Sequence, residues 1–210
     1  ARNYCYGGAT EIYGNLIAGL QAGISLGCEY KAKDPDCICH EETKINNNTL
    51  VDNLFNIRNW DPDSRDSIEI KNNISRTITS GTAHADNYSP AGVTWSHNLF
   101  DDAVTGNAAT NAVIGDAALK KYSGWRSLTS GSLDGTEFSL LSGSKAINAG
   151  KTIASHNNRI QAADYTADPI LVMKSTDGTP DIGAWKDGAG AGKPGTGLDP
   201  PKGFKTIAKN

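Results

Sequence analysis

Long hydrophobic runs are missing from this 210-residue chain. No apolar stretch approaches the ~20 residues that a membrane-spanning helix needs. A strong charge of either sign is missing too: the formal net charge is -3 and the pI is near 5.8. That balance gives no global attraction to nucleic acid or to an anionic membrane. The first residues, Ala1-Arg-Asn-Tyr-Cys5, lack the charged-then-apolar layout of a secretory signal, and there is no initiator Met. The start therefore reads as that of a mature product or of part of a longer protein. Helical periodicity is also absent. What is present is Gly, at 23 residues, abundant Asn, and a modest 38% of hydrophobic residues. Gly and Asn accept the left-handed backbone of tight turns, so this composition suits a turn-rich β protein.

A repeat organises the first half. Ile12-Tyr-Gly-Asn15, Ile45-Asn-Asn-Asn48, Ile70-Lys-Asn-Asn73 and Trp95-Ser-His-Asn98 share one frame, with asparagines 33, 25 and 25 residues apart. The first interval is the common repeat plus an eight-residue insertion. A repeat of this length with short apolar alternation predicts stacked β-coils, each pairing its backbone with the coils above and below. Ile12, Ile45, Ile70 and Trp95 form one column, and Leu16, Thr49, Ile74 and Leu99 form another. Both are read as interior stacks. Gly23–Leu26 falls over Asn56–Asn59. The Asn15, Asn48, Asn73 and Asn98 column is read as a structural ladder, because an amide both donates and accepts. Outward columns are Glu11, Lys44, Glu69 and Thr94, a predicted cross-coil charge ladder, then Tyr13, Asn46, Lys71 and Ser96, then Gly14, Asn47, Asn72 and His97.

Two loops leave the same edge, Cys28–Glu41 and Asp61–Asp66, each with an Asp-Pro-Asp turn. Loops stacked on one edge commonly wall a groove. Three of the four cysteines, Cys28, Cys37 and Cys39, lie in the longer loop, and the fourth is Cys5. An even count reads as disulfides of a secreted protein. A metal site of Cys28, Cys37, Cys39 and His40 is the alternative, although the Cys-x-Cys-His spacing is unusual for zinc. Reduced structural cysteines are a third reading.

The frame breaks after about residue 105. Regular coils over 9–104, an irregular cover over 105–186 and a Gly/Pro/Lys-rich tail over 187–210 are expected. The tail is no phosphate loop, since Asp187 stands where Gly is required and Pro194 where Ser or Thr is. The Ile-x-x-Asn coils, Gly143-Ser-Lys-Ala-Ile-Asn-Ala-Gly150 and Asp181-Ile-Gly-Ala-Trp185 together resemble the C-terminal part of secreted bacterial, pectate-lyase-like proteins. The likeness runs over 9–186, with Lys145 in place of the usual Pro and Lys186 in place of the usual acid. It implies an all-β, right-handed parallel β-helix, an extracellular or cell-surface location and a polysaccharide partner. Relatives usually have further coils upstream and a capping helix. The N-terminal end is therefore expected to meet an upstream segment of the same protein or a stacked copy.

Many such proteins look like lyases or hydrolases of uronate-containing polymers, which neutralise the sugar carboxylate with calcium or Arg and abstract a proton with Lys, Arg or His. On that resemblance Lys71, Arg58 and His97 are candidate catalytic residues: Arg58 as a carboxylate clamp and Lys71 as a base. Trp60, Lys44 and Asn46 are candidate sugar contacts. No cofactor is required by this reading, but calcium bound between Asp36, Asp61 and Asp63 would favour it. Asp101-Asp102 reads as a turn rather than a calcium site, and His84 and His156 read as solvated. The alternative function is a non-catalytic surface, filament-forming or adhesive module.

Overall fold

Short strands separated by left-handed corners let the chain revisit the same three sheets in order. The computed structural model describes residues 10–27, 42–59, 67–77, 81–119, 138, 140–153 and 180–184. The first pass contains β1 (Thr10–Tyr13), β2 (Leu16–Ala18) and β3 (Ala22–Leu26). The second contains β4 (Thr43–Asn46), β5 (Thr49–Val51) and β6 (Phe55–Asn59). The third contains β7 (Ile68–Lys71), β8 (Ile74–Arg76) and β9 (Ala83–Ala85). The fourth contains β10 (Val93–Ser96), β11 (Leu99–Phe100) and a 3-10 turn, Gly106–Ala109. β12 (Val113–Ile114) then adds to the second sheet. The sheets run β1-β4-β7-β10, β2-β5-β8-β11-β12 and β3-β6-β9, and every pair of these strands is parallel. All-β architecture with stacked parallel sheets is thus established for the described residues. The 187–210 tail, the two Asp-Pro-Asp loops and all four cysteines lie outside them.

Register follows the repeat. Ile12, Ile45, Ile70 and Trp95 are Cα partners across the first sheet. These side chains enter the central core, where they meet Leu50 and Phe100 of the second sheet and Ile24, Leu26 and Ile57 of the third. The Leu16, Thr49, Ile74, Leu99 column also pairs in register. It does not enter that core, contrary to the expectation. Period-two alternation assigns the inward positions of the second sheet to Ile17, Leu50, Ser75 and Phe100, so the Leu16 column faces out. There a second cluster covers it: Ile74, Leu99 and Val51 pack with Ala117, Leu119, Phe138, Leu140, Ala146 and Ile182. An apolar column on an outer face needs a coat to escape water, and the closing segments supply it.

The corner between the first and second sheets is built by asparagine amides. Asn48 Oδ1 accepts from the backbone N and Nδ2 of Asn15 at 3.1 and 2.9 Å. Asn73 Oδ1 accepts likewise from Asn48 at 2.9 Å each, and Asn98 Oδ1 from Asn73 at 2.9 and 3.0 Å. The same Nδ2 groups donate back to the preceding pass, from Asn48 to Ile12 O, Asn73 to Ile45 O and Asn98 to Ile70 O. One side chain thus ties three passes together. The preceding residues Gly14, Asn47, Asn72 and His97 all have φ between 54° and 70°. Gly and Asn adopt that conformation readily, whereas other L-residues are strained by ~1–2 kcal/mol.

The outer cover grips this corner. Asn72 Oδ1 accepts from Lys151 N at 2.8 Å, and its Nδ2 donates to Lys151 O at 2.7 Å. Asn47 Nδ2 donates to Asp181 O, and Ala184 N donates to Thr49 Oγ1. Gly183, at φ +97°, passes so close that an added Cβ would stand 2.5 Å from Ile74 Cδ1.

Replacing Asn73 by Ala leaves the buried Asn48 N–H without its acceptor, at ~1–3 kcal/mol, and removes the side-chain donor to Ile45 O and Asn98 Oδ1. We expect a loss of roughly 3–5 kcal/mol, read by urea unfolding. Asn15→Ala, at the exposed end of the column, should cost about 1 kcal/mol or less.

Candidate functional site

The first sheet presents a charged outer face. Glu11, Lys44, Glu69 and Thr94 are Cα partners in one column. The close ion pairs nonetheless run along the strand direction: Lys44 meets Glu42 at 2.6 Å, and Lys71 meets Glu69 at 2.6 Å. The carboxylate of Glu42, then those of Glu11 and Glu69, hold the Lys44 ammonium above its ordinary pKa, against an opposing effect of burial. The expected cross-coil ladder is therefore a Coulombic field around an i, i+2 contact. Residues two apart in a strand share a face, which makes this contact sterically natural. Exposed pairs of this kind contribute little to stability because water screens them. Lys44, Glu42 and Glu69 help line a groove of about 540 Å³, which Ser89–Thr94 and Asn107 also line.

At the end of the same sheet, Lys71 and His97 come together, joined by Lys151 from the cover. Burial first, then the charges of Lys151 and Lys71, holds the His97 imidazole below its ordinary pKa. Its Nδ1 is buried and has no hydrogen-bond partner among the described residues. A neutral imidazole near two ammonium groups can take a proton from an anionic ligand that those groups hold. Lys71 is itself engaged by Glu69, which suits a cation better than a base.

Other candidates are placed elsewhere. Arg58 lies on the third sheet, with Nε 3.8 Å from Asp86 Oδ2 and its guanidinium 5.7 Å above the Phe55 ring. It is not brought to Lys71 and His97. Asn46, expected to face a sugar, is fully buried, and neither amide atom has a partner among the described residues. Alternation alone turns this position outward. Trp60, Asp36, Asp61, Asp63 and His156 lie outside the described residues.

His84 is not solvated: it is 3% exposed. It belongs to a chain of buried polar groups at the corner between the second and third sheets. Leu20 N donates to Asn53 Oδ1 at 2.9 Å, and Asn53 Nδ2 donates to Asn56 Oδ1 at 2.8 Å. Asn56 Nδ2 donates to Ser75 Oγ at 2.9 Å. Ser75 Oγ lies 2.9 Å from His84 Nδ1, and His84 Nε2 lies 2.7 Å from Asp102 Oδ1. The neighbours assign the hydrogens: Ser75 donates to Nδ1, and Nε2–H donates to the carboxylate. A Ser–His–Asp order suggests a nucleophile, but Ser75 is 2% exposed and already accepts from Asn56. It is a link in a buried network. The sequence did hold a signal for it, since Ser75 interrupts the otherwise apolar inward column Ile17, Leu50, Phe100. Lys151 had no such signal, because its segment is placed by the cover.

The depressed His97 pKa has a signed consequence. The unfolded chain binds the proton more tightly than the folded one, so this contribution to stability is present above the unfolded pKa of about 6.5. It is lost as pH falls from there towards the lower folded value. We expect His97→Asn, which restores the residue type favoured at this left-handed corner, to be at least as stable as the parent and to flatten stability against pH over that window, as measured by denaturant titration. In comparisons with known proteins, the chain matches no family model and no curated protein.

Proposed function

We propose that this chain is a right-handed parallel β-helix of the secreted, pectate-lyase-like kind, and that the outer face of its first sheet acts on a uronate-containing polysaccharide. The observation that carries this reading is the cluster of His97, Lys71 and Lys151, a neutral imidazole held down by burial and flanked by two cations. The chemistry fits β-elimination. Lys71 and Lys151 hold the uronate carboxylate and stabilise the charge that builds as its α-proton leaves. His97 takes that proton. The electron pair forms the ring double bond, the glycosidic C–O bond breaks, and the leaving oxygen takes a proton from water. The neighbouring groove along Lys44 and Glu69 offers room for adjoining sugars.

A second reading, an end-to-end stacking or adhesive module, draws on the first pass. There Ile12 and Ile17 are only half buried, Leu20 is exposed, and no described strand pairs beyond β1, β2 or β3. Such an edge invites another strand.

Incubation with polygalacturonate and with alginate, followed by the ultraviolet absorbance of the unsaturated product, tests the catalytic reading. Activity should fall as acid protonates His97. His97→Gln should lower kcat by on the order of 100-fold, while Lys71→Ala should chiefly raise KM. Absence of both product and binding, together with polymers in sedimentation velocity, would replace the first reading with the second.

A further inference from the structure

Two carboxylates converge on one ring nitrogen at the end of the buried polar chain. His84 Nε2 stands 2.7 Å from Asp102 Oδ1 and 3.4 Å from Asp101 Oδ1. Candidate ligand atoms of the three residues all lie within 4.8 Å of one another. A single proton on Nε2 serves one carboxylate well and leaves the second negative charge facing the first. The same field reaches Tyr88, whose phenol is held above its ordinary pKa by burial and then by the charge of Asp102. We propose that His84, Asp101 and Asp102 form a binding site for a zinc-like divalent cation, with solvent completing the coordination.

The imidazole distinguishes this group from a surface cluster of acids. It is buried, its ring stands edge-on to Phe100 at 5.0 Å, and Nδ1 is held by Ser75, so Nε2 is aimed at the carboxylates. In the metal-bound form the ring takes the other tautomer: Nδ1–H donates to Ser75 Oγ, and the Nε2 lone pair is free for the ion. A hydroxyl can donate or accept, so Ser75 supports either state. A partner behind the ligating imidazole is the usual way a metal-bound His is oriented.

The distances agree. Ligands about 2.0–2.1 Å from a tetrahedral ion stand about 3.3 Å from each other. The separation of Nε2 from Asp101 is already 3.4 Å. Asp101 is fixed, since both its oxygens accept from Thr77 N at 3.1 Å. Asp102 must withdraw by only about 0.6 Å to reach that spacing, and its 71%-exposed side chain has the freedom to do so. That exposure also provides a route in from solvent. A nitrogen donor and just two carboxylates favour zinc or a similar borderline ion over calcium, which takes six to eight oxygen ligands.

The test is titration of the full-length chain with zinc ion alone, after chelator treatment, followed by the ring nitrogen NMR signals of His84. These signals report this site and not the cysteines. One equivalent of zinc should move the proton from Nε2 to Nδ1 and shift Nε2 to a metal-bound position. Asp102→Asn, at an exposed side chain that should leave the fold intact by circular dichroism, should weaken zinc binding by at least about tenfold. Unchanged His84 signals in excess zinc would overturn the proposal, and so would equal affinity in folded Asp102→Asn.

Discussion

Every corner of a stacked chain must bring its backbone amides round a bend without leaving them unpaired, and here asparagine meets that demand. An unpaired buried amide costs ~1–3 kcal/mol, and a corner repeated in every pass multiplies that cost. The Asn15, Asn48, Asn73, Asn98 column satisfies the amide of one pass with the carboxamide of the next, and returns an Nδ2 donor to the pass before. The left-handed residues beside it follow from this constraint, and so does the register of the first two sheets. A slip by one residue would separate the amides and turn the inward isoleucines outward together.

The outer cover depends on the same corner. Asn47 and Asn72 project away from the ladder and bind the backbones of Asp181 and Lys151. The residues that shape the bend also fasten the coat, and the coat brings Lys151 to His97 and Lys71. The chemistry proposed for this edge would thus be built by structural residues that never touch a ligand. His97 shows the two demands competing, since its backbone occupies a position that Gly or Asn fills elsewhere in the column. A strained position occupied by an ionisable side chain points to a role beyond folding.

Much of this was legible beforehand, because stacked passes convert sequence intervals directly into spatial neighbours. Offsets of 33 and 25 residues placed Ile45 over Ile12 and Ile57 over Ile24. Facing was harder to read. Leu16, Ile74 and Leu99 are as apolar as core residues, yet they lie on the outer face under a coat that no repeat announces. The position of Lys151 was hidden for the same reason, since it depends on an irregular segment held by Asn72. The polar chain through Asn56, Ser75 and His84 escaped column reading because it crosses between columns. Its links join residues 19, 9 and 18 positions apart, which are not multiples of the repeat.

The coat also sets an order of events in time. Thr49 and Ala184 are joined across 135 residues, and Asn47 and Asp181 across 134. Contacts this distant in sequence slow folding, because a long loop must close before they form. On a ribosome adding about 5–20 residues per second, the second pass would emerge roughly 7–27 s before the segment that shields its outer face. Until Ala117, Leu119, Phe138, Leu140, Ala146 and then Ile182 follow, a row of leucine, isoleucine and valine side chains stands open on adjacent parallel strands, a surface suited to capture by another nascent chain or by a chaperone. Yield of native protein should therefore be governed less by the repeats than by how soon the residues from Ala117 to Ala184 that coat this face arrive to cover them.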